Sequence, residues 1–184
     1  MSLLSLRPSH TTLVDPSRPS LFYHFLPAPN PLSTLFPAYA VSLLDRPTKD
    51  PESPAVMGWL PASANEGGLE AGLGDFKENS KFLDVLHQVV HMAIEDGIDE
   101  RLKNEALQLG EGWMHINDDR NLPVMGRIST PDDIIASVRV QGAEIISQTY
   151  SPMPTYRICT TDGLTTLSEG LERRLLERLR QIEG

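Results

Sequence analysis

Hydrophobic positions in this chain follow two periods, and the switch between them maps its elements. From Phe82 onward, Val85, Leu86, Val89, Val90, Met92, Ala93 and Ile94 fall in one wide arc at helical spacing. Asp75 and Glu78 stand at capping-box spacing, with aspartate in place of the usual Ser or Thr, so the helix is predicted to begin near Asp75. Gly97 can end it, because glycine enters the left-handed region without steric penalty. A shorter helix capped by Asp99 and closed near Gly110 is expected next. Leu167, Leu171, Leu175, Leu179 and Ile182 trace one face of a final helix, with Thr166 and Glu169 as its capping box. Glu169/Arg173 and Arg173/Glu177 add pairs one turn apart.

Elsewhere the pattern is that of strands. Leu21 to Leu26, Tyr39 to Leu44, Ala55 to Leu60 and Trp113 to Ile116 are short apolar runs bounded by turn formers. Prolines at 27, 29 and 31 cannot donate to a ladder, so that stretch is read as a loop. Thr130, Pro131 and Asp133 resemble a helix start, yet the β-branched run Ile134, Ile135, Val138, Val140 favours a strand. One helical turn followed by a strand reconciles them. Gln141-Gly142 then reverses the chain into a partner strand over 144–150; a strand over 155–161 and an Asp162-Gly163 hairpin signal follow. Strands, helices, strands and a last helix predict an α+β fold. Its largely antiparallel sheet would carry the Asp75 helix and the C-terminal helix on one face. Residues 1–20 read as a disordered or loosely attached arm and 21–184 as a single domain.

Composition adds bounds. The formal charge of −9 is not spread evenly: residues 60–119 hold four basic and thirteen acidic side chains, while the segments before and after balance to zero. Such a middle third is a solvated acidic face or a patch for a basic protein partner. It excludes a nucleic-acid backbone, which requires a basic footprint. Cys159 is the only cysteine, so no intrachain disulfide can form. No apolar run is long enough to span a bilayer, and no membrane partner is expected. A cytoplasmic location is expected, with a mitochondrial one as the alternative because the first fourteen residues lack acids and are rich in Ser and Thr.

Candidate chemistry centres on the polar loop 117–133, which carries Asp118, Asp119, Arg120, Asn121, Arg127, Asp132 and Asp133. A loop this long between ordered elements is more often functional than a short one. Asp118, Asp119, Arg120 and Arg127 are its candidate binding residues; pairing of the arginines with the nearby aspartates is the simpler use of the same groups. His87 and His91 sit one turn apart, as two imidazoles on one metal would, but Gln88 occupies the position of a catalytic glutamate and no third ligand is apparent. The glycine loop with Gly67, Gly68, Gly72 and Gly74 lacks a phosphate-binding pattern. Cys159 has no feature that would activate its thiol, and Trp59 and Trp113 read as core anchors. No cofactor or metal is called for.

The block Gly112-Trp-Met-His-Ile-Asn-Asp-Asp-Arg-Asn, with Gly126-Arg127-Ile128, Thr130-Pro131-Asp132-Asp133-Ile134 and Pro154-Thr155-Tyr156-Arg157, resembles a group of uncharacterised fungal proteins over most of residues 20–182. That resemblance implies no activity, ligand or catalytic residue. The functional expectation is a non-catalytic protein that uses the acidic middle region and the polar loop to bind a protein partner or to self-associate. Two alternatives remain: a metal-dependent or acid/base hydrolase built on His115, Asp118, Asp119 and Arg120, and a small-molecule pocket near Trp113.

Overall fold

The computed structural model describes residues 11–62, 73–123 and 127–184. The arm expected over residues 1–10 and the glycine loop at 67–72 lie outside the described residues. Where a single domain over residues 21–184 is expected, the chain divides into two compact units, one of residues up to Asn79 and one of Ser80–Ile182.

The first unit is an antiparallel sheet in the order β1-β2-β3-β4-β5. Its strands are β1 (Thr12–Val14), β2 (Phe22–Leu26), β3 (Ala38–Ser42), β4 (Val56–Pro61) and β5 (Lys77–Glu78). β1 corrects the reading of residues 1–20 as an arm. Thr12 pairs with His24, and the chain from there is held by the ladder and by a turn in which Asp15 accepts from Ser17, Arg18 and Tyr23. Ala40, Val56 and Trp59 form a buried cluster against which Leu26 and Leu32 pack. Gly58 is required where it stands: a Cβ there would meet the Lys77 carbonyl oxygen and the Phe76 ring at 2.3 Å. Only a hydrogen side chain lets β5 approach β4.

β5 also moves the start of the first helix. Glu78 pairs with Gly58 and Lys77 with Trp59, so the segment expected to open the helix is drawn into the sheet. The helix α1 runs Ser80–Glu95. The capping-box spacing of Asp75 and Glu78 is a local preference that the long-range ladder overrides.

In the second unit α1 is followed by α2 (Glu100–Leu109), β6 (Gly112–Asn117), β7 (Ile134–Gln141), β8 (Glu144–Pro152), β9 (Cys159–Thr160), β10 (Gly163–Leu164) and α3 (Glu169–Glu183). Asp99 caps α2 as expected, its carboxylate accepting from the Arg101 and Leu102 amides, and Gly110 closes the helix at φ 73°. A 3-10 turn, Pro131–Asp133, leads into β7, so the turn-then-strand reading of that segment holds. The β7–β8 reversal uses Gly142 and Ala143 at φ 57° and 62°, the two left-handed residues of a tight hairpin. The strand expected over 155–161 shrinks to the two residues of β9. The cap of α3 is Ser168 and not Thr166; its hydroxyl donates to Asp99 at 2.8 Å instead of to the helix.

β6, β7 and β8 form an antiparallel sheet. Met114, Ile116, Ala136, Val138 and Val140 are buried on one face; α2 touches both outer strands and α1 touches β8. Trp113, His115, Ser137 and Arg139 share the opposite face by register. Period-two alternation therefore puts Trp113 outward, 55% exposed, whereas Trp59 is the core anchor expected of both. The fold is α+β, with every strand pair antiparallel among the described residues.

Candidate functional site

β6 and β7 bring the two ends of the polar loop together, because they are adjacent antiparallel strands. The Asp118 amide bonds the Asp133 carbonyl at 2.8 Å. Arg120 then turns inward, and its side chain is only 1% exposed. Its Nε donates to Asp133 Oδ1 at 2.8 Å, Nη1 to the Ile158 carbonyl at 2.9 Å, and Nη2 to the Asp132 and Arg157 carbonyls at 2.9 and 2.6 Å. Its guanidinium also lies 5.3 Å from the centre of the Tyr156 ring. The planar fork ties the loop's two ends to the segment before β9, a use to which a lysine could not be put.

Asp118 is fully buried beside it. One carboxylate oxygen accepts from the Arg120 and Thr166 amides at 2.9 and 3.0 Å, and the other accepts the Tyr156 hydroxyl at 2.6 Å. Asp133 accepts from Thr130 and Asn121 as well as Arg120. The geometry divides the two carboxylates. Arg120 lies 2.8 Å from Asp133 and 3.6 Å from Asp118, so Asp133 is its ion-pair partner. For Asp133, burial opposes ionisation, but the bonds from Thr130, Arg120 and Asn121 outweigh it and its pKa falls below the ordinary value. For Asp118, burial dominates over the help from Arg120, Tyr156 and the two amides, and its pKa rises. Burial and the neighbouring Asp118 carboxylate push the Tyr156 hydroxyl upward. Arg120 stays charged, since its carboxylate neighbours outweigh its burial.

The four residues singled out from sequence thus separate. Asp118 and Arg120 are bracing groups that face inward. Asp119 turns to α2, where Arg101 grips it through two nitrogens at 2.7 and 3.3 Å. Arg127 is exposed and takes no part in this network. Asp133, Tyr156, Thr166 and Arg101 complete the arrangement and are not among the candidate binding residues. They lie 13 to 48 residues from their partners in the chain, and no spacing rule connects them.

What the loop presents outward is mostly apolar. Leu122 is 51% exposed and Ile128 is 78% exposed. Leu122 and Pro123 border a cleft of about 180 Å³ with Arg101, Leu102, Glu105 and Asn117. Burial raises the Glu105 pKa there; Arg101 opposes the rise, while Asp99 and Asp119 add to it. Asn117 Oδ1 and Ser129 Oγ, one near each end of the loop, are buried atoms with no hydrogen-bond partner among the described residues. Native folds leave few such atoms, and those they do leave concentrate where function or strain resides.

The other constellations resolve differently. His115 Nδ1 lies 2.9 Å from Ser137 Oγ, a cross-strand pair on the outer sheet face, and the structure does not bring it to Asp118 or Asp119. The hydrolase constellation is therefore not assembled. His87 Nδ1 is 2.8 Å from the Tyr150 hydroxyl, while His91 stacks on the Tyr150 ring at 4.8 Å and lies 3.5 Å from Glu95. Tyr150 thus sits between the two imidazoles, and among the described residues no group of three His, Cys, Asp or Glu is placed to hold a metal ion. Trp113, being outward, does not enclose a pocket. Much of the acidic surplus of residues 60–119 is engaged within the chain: Asp96 with Arg174, Asp99 with α2 and Ser168, Glu100 with Lys103, Glu111 with the Gly142 amide, and Asp119 with Arg101.

No helix among the described residues is long and apolar enough to cross a membrane. No family model, no curated protein and no solved structure matches the chain.

Proposed function

We propose that the chain is a non-catalytic binding protein that engages a protein partner through the outer face of the β6–β7 loop. One observation carries the reading: Leu122 and Ile128 are held in solvent on a loop whose base is fixed by the buried Arg120 network. Large apolar side chains on a rigid loop lose little conformational entropy when a partner covers them. Fully desolvated apolar anchors flanked by arginine are the usual centre of protein interfaces, and Arg127 stands next to Ile128. Asp118 and Arg120 support this surface from below, whereas Arg127 belongs to it. The acidic surface of α1 and α2 gives the same partner a basic complement, which would speed encounter more than it would tighten the complex.

The test is affinity co-purification from lysate with the wild-type chain, with Leu122→Asp/Ile128→Asp and with Arg127→Ala. A specific protein retained by wild type should be lost with the aspartate pair and reduced with Arg127→Ala, while thermal melts of the variants stay near wild type. If every co-purifying protein is retained equally by all three, the loop is not a binding surface.

A further inference from the structure

The loop 27–37 between β2 and β3 presents two adjacent large apolar residues, Leu35 at 78% and Phe36 at 65% exposure. The loop does not owe this to slackness. Asn30 Oδ1 accepts from the Leu32 and Ser33 amides at 3.0 and 2.9 Å, and Asn30 Nδ2 donates to the Phe36 carbonyl at 2.9 Å. Ser33 Oγ accepts from the Leu35 and Phe36 amides at 3.1 and 3.0 Å. These local side-chain bonds fix the backbone on both sides of the tip, so Leu35 and Phe36 cannot fold back without breaking them. Just inside the loop, Phe25 and Tyr39 face each other across the ladder with ring centres 5.9 Å apart, both part-exposed.

The charge pattern identifies the occupant. From Pro19 to Leu44 there is no Asp, Glu, Lys or Arg, although the chain as a whole carries −9. His24, within that stretch, is buried, and burial holds it neutral. Two copies of so acidic a chain repel wherever acidic surfaces meet. The charge-free tip is a place where they can touch without that repulsion, and its apolar groups gain by mutual burial. Nearby charges are confined to one flank, where Asp50 and Glu52 share a cleft with Pro29, Asn30 and Pro31, and Lys77 donates to the Pro31 carbonyl at 3.3 Å.

We propose that this end of the five-stranded sheet is a homotypic contact, in which two copies of the chain meet tip to tip through Leu35 and Phe36. A two-fold contact of this kind uses the same patch on both copies and closes at a dimer. The buried area falls well short of the roughly 1,200–2,000 Å² of a standard stable interface, so the dimer is weak and reversible.

Sedimentation velocity across a concentration series tests this with the full chain. Wild type should shift from monomer to dimer as concentration rises, more readily at high salt because screening relieves repulsion between copies. Leu35→Asp/Phe36→Asp should weaken the dimer by at least about 30-fold, the loss expected for a hot-spot contact. A wild-type chain that stays monomeric throughout would overturn the proposal, as would a variant that dimerises like wild type, or a dimer that salt dissociates. Wild type that remains monomeric in solution but binds phosphatidylcholine vesicles through the tip would overturn it in favour of a membrane contact. Should the aspartate variant fail to fold, Leu35→Cys in a Cys159→Ser background serves instead: mild oxidation should join two copies through residue 35 far faster than it joins Gln108→Cys in the same background. Equal rates would refute the contact.

Discussion

Replacing Arg120 by alanine should cripple the second unit, and the size of the effect follows from what the guanidinium satisfies. Its removal leaves Asp133 ionised and buried without its cation, and strips donors from the Asp132, Arg157 and Ile158 carbonyls. Hydrogen bonds to a charged group contribute about 1.5–3 kcal/mol each, but they share one side chain and do not add. The better guide is the loss of one partner from a buried ion pair, about 3–5 kcal/mol. Asp118 softens the blow little, because it too loses a neighbouring positive charge. Domains of this size are stable by only about 5–15 kcal/mol, so Arg120→Ala should lose a large part of the total. Urea unfolding followed by circular dichroism would show a midpoint far below wild type with an unchanged slope. Arg127→Ala, on an exposed side chain of the same loop, should stay within about 0.5 kcal/mol of wild type. Arg120→Ala/Asp133→Asn should recover part of the loss, since the stranded carboxylate is then gone. An Arg120→Ala midpoint indistinguishable from that of Arg127→Ala would refute the bracing role.

The first unit yields two more expectations. His24 Nε2 donates to the Leu44 carbonyl at 2.9 Å and its Nδ1 lies 2.9 Å from the Thr12 hydroxyl, so the ring is buried in its neutral form. Burial lowers its pKa below the ordinary value, despite opposing contributions from the Leu44 bond and from Asp45. The unfolded state then binds the proton more readily, and stability is complete above the ordinary histidine pKa and declines as pH falls from there toward the depressed native value. Thermal melts from pH 8 to pH 5 should show that decline, and His24→Gln should flatten it; a slope unchanged by the substitution would mean that other groups cause it. Gly58→Ala should destabilise by about 1–3 kcal/mol, because the new methyl meets the Lys77 carbonyl and backbone must shift to admit it. A melting temperature equal to wild type would show that β5 yields freely.

Features set by a few neighbouring residues are legible in the amino-acid sequence alone. Asp99 and Gly110 bound α2, Pro131 starts a single turn ahead of β7, and the leucines of α3 mark its buried face, because caps, turns and helical period act over one or two turns of chain. The polar loop also stands out as unusual, and pairing among its charged groups is the simpler use that the sequence suggests for its arginines. Which pairs form cannot be read there. Arg120 reaches Asp133, Asp118 reaches Tyr156 and Thr166, and Asp119 reaches Arg101 only because the β6–β7 ladder and the segment before β9 bring distant residues to hydrogen-bond range. The same kind of long-range ladder draws Lys77 and Glu78 out of the helix that their spacing favours and ties down a strand in the expected N-terminal arm. Burial is the other quantity that one-dimensional pattern does not carry. Trp113 and Trp59 are alike in sequence context, but strand alternation fixes only that successive residues face opposite ways; which face is covered depends on where α1 and α2 pack.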